Sequence, residues 1–129
     1  MPPLPPLVDS HGRQVRYLRL SVTDRCNLRC LYCRVDNTFI PHDNVLRYEE
    51  MERIVAVAVA AGVRKVRLTG GEPFVRRGFP EFLRRLHSAH PDVALRVTSN
   101  GIMLAPYADL LRELNVRVNM SLDLSLIHI

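Results

Sequence analysis

Three cysteines lie close together in the first third of the chain, and they are the residues with the clearest chemistry. Cys26, Cys30 and Cys33 are the only cysteines of the sequence, and their spacing is C-x3-C-x2-C. Thiolates are soft ligands that suit iron–sulfur clusters, so three of them on one short loop predict three ligands of a [4Fe–4S] cluster. A cluster held by only three cysteines keeps one iron open, and an open iron can bind a small molecule.

Two other uses of the cysteines compete with this one. A disulfide framework is disfavoured, because the number of cysteines is odd and no secretory signal precedes them. A zinc site of three cysteines and one histidine stays open, since His42 follows nine residues after Cys33. Zinc sites of this type usually consist of two separated ligand pairs, which the present spacing lacks. The spacing therefore favours iron–sulfur chemistry, with zinc as the alternative.

Composition sets broad limits on the class of protein. The 129 residues are 47% apolar and 24% charged, as expected for one globular domain. Reduced cysteines and the lack of a signal predict a cytoplasmic protein, and no apolar run is long enough to cross a membrane. The net charge of +5 suits an anionic partner such as a nucleotide or a nucleic acid.

Strand-like and helix-like segments alternate along the chain after a proline-rich start. Residues 1–16 are predicted to form a flexible tail, because prolines dominate its first part. Strand patterns cover 17–23, 63–69, 93–99 and 116–123, and helix patterns cover 48–61, 80–89 and 106–114. This alternation predicts an α/β fold with a parallel sheet and right-handed crossovers.

Apolar and polar side chains alternate within each predicted strand. In the first strand, for example, Leu18 and Leu20 alternate with Arg19 and Ser21. Side chains point alternately to the two faces of a sheet, so one face should pack under helices and the other should be polar and partly cationic. In a closed or partial barrel the polar face would line the lumen and suit an anionic substrate. The alternative is a solvated face of an open sheet.

A glycine-rich turn, Gly70-Gly71-Glu72-Pro73, follows the second predicted strand. Paired glycines let the backbone approach a ligand closely, and a carboxylate beside them can accept a hydrogen bond from an ammonium group. Taken by itself, such a tetrad is also a common structural turn. Arg76 and Arg77 come next; contact with a phosphate is one interpretation of them, and a solvated pair is the favoured one.

Together these motifs resemble the radical S-adenosylmethionine (SAM) enzymes, and more finely the GTP 3′,8-cyclase family of molybdenum cofactor biosynthesis. The resemblance runs in order from about residue 7 to residue 123. It is carried by segments 18–30, 65–73, 98–101 and 119–123.

The resemblance implies a fold and a set of site residues. Residues 17–123 would form the N-terminal portion, about four β/α units, of a partial (β/α)6 TIM-like radical-SAM barrel. Glu72 would receive the ammonium group of the methionine part of SAM. The implied ligands are Cys26, Cys30 and Cys33 for the cluster, Tyr32, Gly71, Glu72 and Ser121 for SAM, and Arg19, Arg67 and Thr98 for GTP.

The resemblance also implies an activity. Radical chemistry supplied by the [4Fe–4S] cluster and SAM would convert GTP to (8S)-3′,8-cyclo-7,8-dihydroguanosine 5′-triphosphate, a lyase reaction. It further implies an electron donor, a homodimer of the full-length protein, transfer of the product to cyclic pyranopterin monophosphate synthase, and no nucleic-acid partner. The alternatives are another radical SAM enzyme, such as a peptide-modifying one, and a Cys3His zinc module.

Members of this family are much longer, and they carry a second [4Fe–4S] cluster whose cysteine ligands are not in this sequence. The chain is therefore interpreted as a fragment that is inactive alone, with residues 124–129 as a tail that is not native.

Anaerobic reconstitution with iron and sulfide tests the predicted metal. We expect about four irons per chain and charge-transfer absorption that is lost in air, because one iron lacks a protein ligand. Cys30→Ser should lower iron uptake, whereas His42→Ala should leave it unchanged. Stoichiometric zinc after anaerobic purification, with no uptake of iron, would refute the cluster in favour of the zinc module.

Overall fold

The structure is a computed structural model that describes residues 2–23 and 46–120. Within these residues, three helices alternate with four strands. The strands, β1 to β4, are Tyr17–Thr23, Lys65–Gly70, Ala94–Ser99 and Arg117–Met120. The helices, α1 to α3, are Tyr48–Ala60, Phe79–Ala89 and Ala108–Glu113. Two short 3-10 helices, at Pro73–Val75 and Ala105–Tyr107, precede α2 and α3.

The four strands form one parallel sheet in the order β1-β2-β3-β4. Strands β2, β3 and β4 are therefore each hydrogen-bonded to the described strand that precedes them in the chain. A helix lies between each pair of consecutive strands, as parallel neighbours require, because a tight hairpin cannot join them. The predicted α/β fold with a parallel sheet is confirmed.

One face of the sheet is packed against the helices. Phe79 and Phe82 of α2 are fully buried there, and Phe82 also stacks on Tyr48 of α1 with ring centroids 4.7 Å apart. Burial of these large side chains is the main driving force for closing the helical layer onto the sheet. Six strand residues of the predicted apolar face are buried there: Leu20, Val22, Val66, Leu68, Leu95 and Val97. Met120 was predicted for the same face but is 51% exposed, and Thr23, predicted for the polar face, is buried at the end of β1.

Several element boundaries differ from the predicted ones by one or two residues. The second strand begins at Lys65 rather than at residue 63, because Val63 still closes the end of α1 by donating its N–H to the Ala58 carbonyl, 3.0 Å away. Helix α2 begins at Phe79, directly after Gly78, whose φ is +82°. Strand β4 is described to Met120, and the predicted residues 121–123 lie outside the described part of the chain.

The proline-rich segment before β1 is mostly exposed and makes a few backbone contacts. The N–H of Leu4 donates to the carbonyl of Ala60 at the end of α1, and Val8 forms an isolated bridge with Gln14. Between these two, the Asp9 carboxylate accepts hydrogen bonds from the backbone N–H groups of His11 and Arg13. The flexibility of residues 1–16 stays a prediction. In residues 2–23 and 46–120, no helix has both the length and the apolar character needed to span a membrane.

The end of β2 lies very close to the end of β1. Gly70 pairs with Thr23 after a shift of register, and the N–H of Gly71 donates to the Thr23 carbonyl, 2.8 Å away. Gly70 has φ of +128°, and a Cβ atom added to it would overlap the Thr23 carbonyl oxygen. Only glycine allows this approach of the two strands.

Two glycine substitutions test this close approach. Gly62 also has a positive φ, +105°, but a Cβ atom there would meet no atom within 4 Å. Gly62→Ala should therefore cost only backbone strain, about 1–3 kcal/mol, and Gly70→Ala should cost more because the overlap is added. The measurement is the free energy of unfolding in urea. Equal losses in the two variants would contradict the close approach.

Candidate functional site

The carboxyl ends of β1 and β2 bring the glycine-rich turn next to the start of the cysteine segment. The hydrogen bond from Gly71 to Thr23 fixes the turn against the last residue of β1, and the segment with the cysteines begins immediately after it. Gly71 itself is exposed. The other predicted cofactor ligands lie outside the described residues: Cys26, Cys30, Cys33, Tyr32 and Ser121.

Glu72 is fully buried, and its carboxylate joins two strand ends. One carboxylate oxygen, Oε1, accepts hydrogen bonds from the hydroxyl of Ser99 and the N–H of Asn100, at 2.9 and 2.7 Å. The other, Oε2, accepts from the N–H of Phe74 at 3.1 Å, which caps the short 3-10 helix. Hydrogen bonds from neutral donors to a carboxylate are strong, and losing them in a buried place is costly. Glu72 therefore ties the end of β2 to the end of β3.

Ser99 is the second member of this network. It is 2% exposed, donates to Glu72, and accepts a hydrogen bond from the N–H of Gly101 at 3.0 Å. The Ser99 hydroxyl thus links the Glu72 carboxylate to the backbone of the turn after β3. Ser99 was not among the predicted site residues. Its sequence signal is weak, because a serine at the end of a strand is common.

Arg76 also holds the turn in place, and the prediction of a solvated pair is wrong for it. Its Nη1 donates to the Val22 carbonyl on β1 at 2.7 Å, and its guanidinium carbon lies 4.2 Å from the centre of the Tyr48 ring. Burial raises the pKa of the Tyr48 phenol to about 12. The phenol is therefore neutral at physiological pH, and it donates to the Arg77 carbonyl at 2.9 Å. Arg77 itself is exposed, as predicted.

The three residues predicted to contact GTP lie together on the polar face of the sheet. Arg19 of β1 is in register with Arg67 of β2. Arg67 Nη1 lies 3.5 Å from the Thr98 hydroxyl of β3, and its Nε donates to the Tyr17 hydroxyl at 2.7 Å. Tyr17 holds the guanidinium of Arg67 and was missed by the sequence reasoning. Its signal was its place two residues before Arg19, on the same face of the strand.

This arrangement is a row of hydrogen-bond donors on a sheet whose other face is packed. Guanidinium groups offer planar, directional donors that suit phosphate and base oxygens, and the hydroxyl of Thr98 adds an adaptable partner. Arg19 lies four residues before the end of β1, and Arg67 lies three residues before the end of β2. The glycine turn and the cysteine segment begin at these two strand ends. A ligand held by Arg19 and Arg67 would therefore extend toward that end of the sheet.

A comparison with protein families decides what this architecture is. The model of the radical SAM superfamily matches residues 20–125, a range that includes the sheet from the middle of β1 onward, the glycine-rich turn and the cysteines. The chain belongs to the radical SAM superfamily.

Curated relatives of this radical SAM protein share close to half of its residues. It is 48% identical over 120 residues to the GTP 3′,8-cyclase of Nautilia profundicola, 49% identical over 120 residues to that of Campylobacter curvus, and 48% identical over 118 residues to that of Pelotomaculum thermopropionicum. These matches cover 91%, 91% and 89% of the chain. They cover 38%, 37% and 36% of the relatives, so the chain spans less than two fifths of their length.

Solved structures show the same fold. Streptococcus suis SuiB bound to S-adenosylmethionine matches with a TM-score of 0.65 at 19% identity, over 85% of this chain and 24% of SuiB. SuiB bound to its precursor peptide SuiA matches with a TM-score of 0.61 at 22% identity, over 74% of this chain and 21% of SuiB. The described sheet and helices are therefore part of a TIM-like radical SAM barrel, as predicted. At this identity the likeness concerns the fold alone.

Membership of the superfamily implies a [4Fe–4S] cluster and SAM, and the residues of this chain fit both. Three thiolates are a suitable donor set for a cluster with one open iron. The Gly71–Thr23 hydrogen bond holds the two glycines of the turn, which have no side chains, beside Thr23, and the segment that carries those thiolates follows Thr23 in the sequence. The roles of the individual cofactor ligands stay predictions.

The Glu72 network is testable by removing one hydroxyl. Ser99→Ala should lower the free energy of unfolding by about 1–3 kcal/mol, because it leaves a buried carboxylate short of a donor. The matched control is Ser10→Ala, since Ser10 is exposed and its loss should change stability by less than about 0.5 kcal/mol. Thermal and urea denaturation measure both. Equal stabilities of the two variants would show that Ser99 does not support Glu72.

Proposed function

We propose that this chain is the N-terminal part of a GTP 3′,8-cyclase that converts GTP to (8S)-3′,8-cyclo-7,8-dihydroguanosine 5′-triphosphate in molybdenum cofactor biosynthesis. The observation that carries the proposal is the grouping of Arg19, Arg67 and Thr98 on one open face of the sheet. The similarity to curated GTP 3′,8-cyclases over nine tenths of the chain supports it.

The substrate would lie on the polar face, with its charged part against the arginines. Arg67 is held by the Tyr17 hydroxyl, so its guanidinium is oriented before a ligand arrives. A donor that is already oriented loses less conformational entropy on binding than a free side chain does. The rigid sheet would thus fix the nucleotide, and with it the ribose, relative to the strand ends.

The cofactors would lie at those strand ends. Cys26, Cys30 and Cys33 would hold the [4Fe–4S] cluster, and Tyr32, Gly71, Glu72 and Ser121 would surround SAM. When bound, the cluster and SAM supply the radical that removes hydrogen from the substrate. The protein's part is to hold the ribose near that end and to exclude water and other hydrogen donors.

Glu72 has a structural task in addition to its predicted one. Three donors of this chain already contact its carboxylate, and a carboxylate has about four acceptor positions. The Ser99 hydroxyl lies 2.9 Å from Oε1 and 3.1 Å from Oε2, and its single proton can serve only one of the two oxygens at a time. The oxygen that it leaves is proposed to accept a hydrogen bond from the ammonium group of SAM.

The remaining parts of the proposal concern the longer protein. The second [4Fe–4S] cluster, the electron donor, the homodimer, the transfer of the product to cyclic pyranopterin monophosphate synthase and the cytoplasmic location are expected for it. The chain alone should not turn over GTP, because more than half of the relatives' length is outside it. A peptide-modifying radical SAM enzyme is the alternative, and it would not need Arg19, Arg67 and Thr98 together.

The proposal predicts that substrate and cofactor contacts can be separated. In a protein that joins this chain to the remaining length of its relatives, Arg19→Ala and Arg67→Ala should each lower GTP turnover by roughly 10-fold or more, the scale of one charge-assisted hydrogen bond. Uncoupled cleavage of SAM should remain measurable, because SAM is held at the strand ends. Chromatography of the cyclised nucleotide and of 5′-deoxyadenosine measures the two reactions.

The matched control is Arg112→Ala, because Arg112 lies exposed in the last turn of α3. It should leave both reactions unchanged. Unaltered GTP turnover in the two sheet variants would contradict the assigned substrate face. Loss of SAM cleavage in parallel with GTP turnover would assign these arginines to folding or to the cofactor.

A further inference from the structure

Four arginines lie side by side across the whole described sheet. Arg19 of β1 is in register with Arg67 of β2, Arg67 with Arg96 of β3, and Arg96 with Arg117 of β4. All four alternate with the apolar residues of their strands, so they share the polar face. Neighbouring strands are about 4.8 Å apart, and the row therefore spans about 14 Å. We call it the arginine row.

The arginine row has no acidic partner within the described residues. The ion pairs recorded there join Arg13 to Asp9, Arg47 to Glu50, Arg84 to Glu113 and Arg85 to Glu52, and none includes a member of the row. Within the row, Arg67 donates to the Tyr17 hydroxyl, and Arg96 Nη1 donates to the Leu95 carbonyl at 3.0 Å. These neutral partners orient the guanidinium groups without cancelling their charge.

Like charges on neighbouring strands repel, so the row destabilises the empty sheet. If the polar face were only solvated, nothing would require an arginine at the matching register position of every strand. An anion with several charges in a line would offset the repulsion and would accept the planar donors. The row thus has the geometry of a site for an extended polyphosphate.

The polar residues nearer the strand ends give the site a direction. Ser21 is in register with Thr69, and Thr98 with Asn119, one step along the polar face toward the carboxyl ends. Neutral hydroxyl and amide groups suit a sugar or a base better than they suit a phosphate chain. The phosphates would therefore lie at the arginine row and the nucleoside closer to the glycine-rich turn.

We propose that Arg96 and Arg117, together with Arg19 and Arg67, bind the triphosphate of the nucleotide, and that they set the preference for a triphosphate over shorter phosphate chains. This rests on the proposed function as far as the nucleotide is concerned, and it adds two residues to the substrate site. Arg96 is half-buried on the central strand β3, whereas Arg117 is exposed on β4.

Calorimetric titration of the 129-residue chain tests the proposal with defined ligands. The ligands are inorganic triphosphate, orthophosphate, GTP, ATP and guanosine, and the variants are Arg96→Gln and Arg117→Gln. Each variant should weaken the binding of inorganic triphosphate and of GTP by roughly fivefold, as expected for one partly exposed charged contact. Guanosine binding should not change, because it lacks phosphate.

Two further variants control for charge and for folding. Arg96→Lys keeps the positive charge and should retain most of the affinity for inorganic triphosphate, although it loses the planar fork. Arg112→Gln removes an arginine from the helical layer and should change nothing. Circular dichroism spectra and melting curves show that each variant is folded before it is titrated.

The outcomes separate this inference from the proposed function. Unchanged triphosphate affinity in both glutamine variants overturns the inference, even where GTP still binds through Arg19 and Arg67. Failure of the parent chain to bind inorganic triphosphate more tightly than orthophosphate also overturns it. Weaker binding of inorganic triphosphate, GTP and ATP alike in the variants supports it. Equal affinity of the parent chain for ATP and GTP would contradict the guanine preference of the proposed function. It would leave the binding of triphosphate by the arginine row supported.

Discussion

The buried carboxylate of Glu72 is the contact on which the functional end of the sheet depends. It takes donors from the turn after β2 and from the end of β3. The Gly71 N–H bonded to Thr23 then ties the same turn to the end of β1. Three strand ends are thus fixed relative to one another by one carboxylate and one glycine contact. A buried carboxylate without these donors would be strongly destabilising, so the geometry is specified closely.

The apolar face of the sheet provides stability, and the polar face is the proposed binding surface. The apolar face buries its residues under the three helices and provides the core. The polar face can therefore carry like charges whose repulsion costs stability, because the core on the other side offsets that cost. Since the strands are held rigidly, the arginines are positioned before a ligand binds, and less entropy is lost on binding.

Much of the fold could be predicted from the sequence, because strand alternation and the helix pattern are local signals. The parallel sheet follows from the alternation of strands and helices, and the two unlike faces, with Arg19, Arg67 and Thr98 on the polar one, follow from strand parity. The assignment of these three residues to GTP came from the resemblance to a family. The roles of Glu72 and Ser99 as partners could not be predicted, because 27 residues separate them. Arg76 was misjudged for the same reason, since its partner Val22 is distant in sequence. The register that aligns four arginines also depends on strand pairing, which one sequence does not specify.

The central claim is that the polar face of the sheet binds a nucleotide. Nuclear magnetic resonance of the arginine Nε–Hε groups during titration of the chain with GTP tests it most directly. The account predicts shifts confined to Arg19, Arg67, Arg96 and Arg117, with the helix arginines Arg53, Arg84, Arg85 and Arg112 unaffected. Shifts that are confined to the helix arginines, or spread evenly over all arginines, would contradict it.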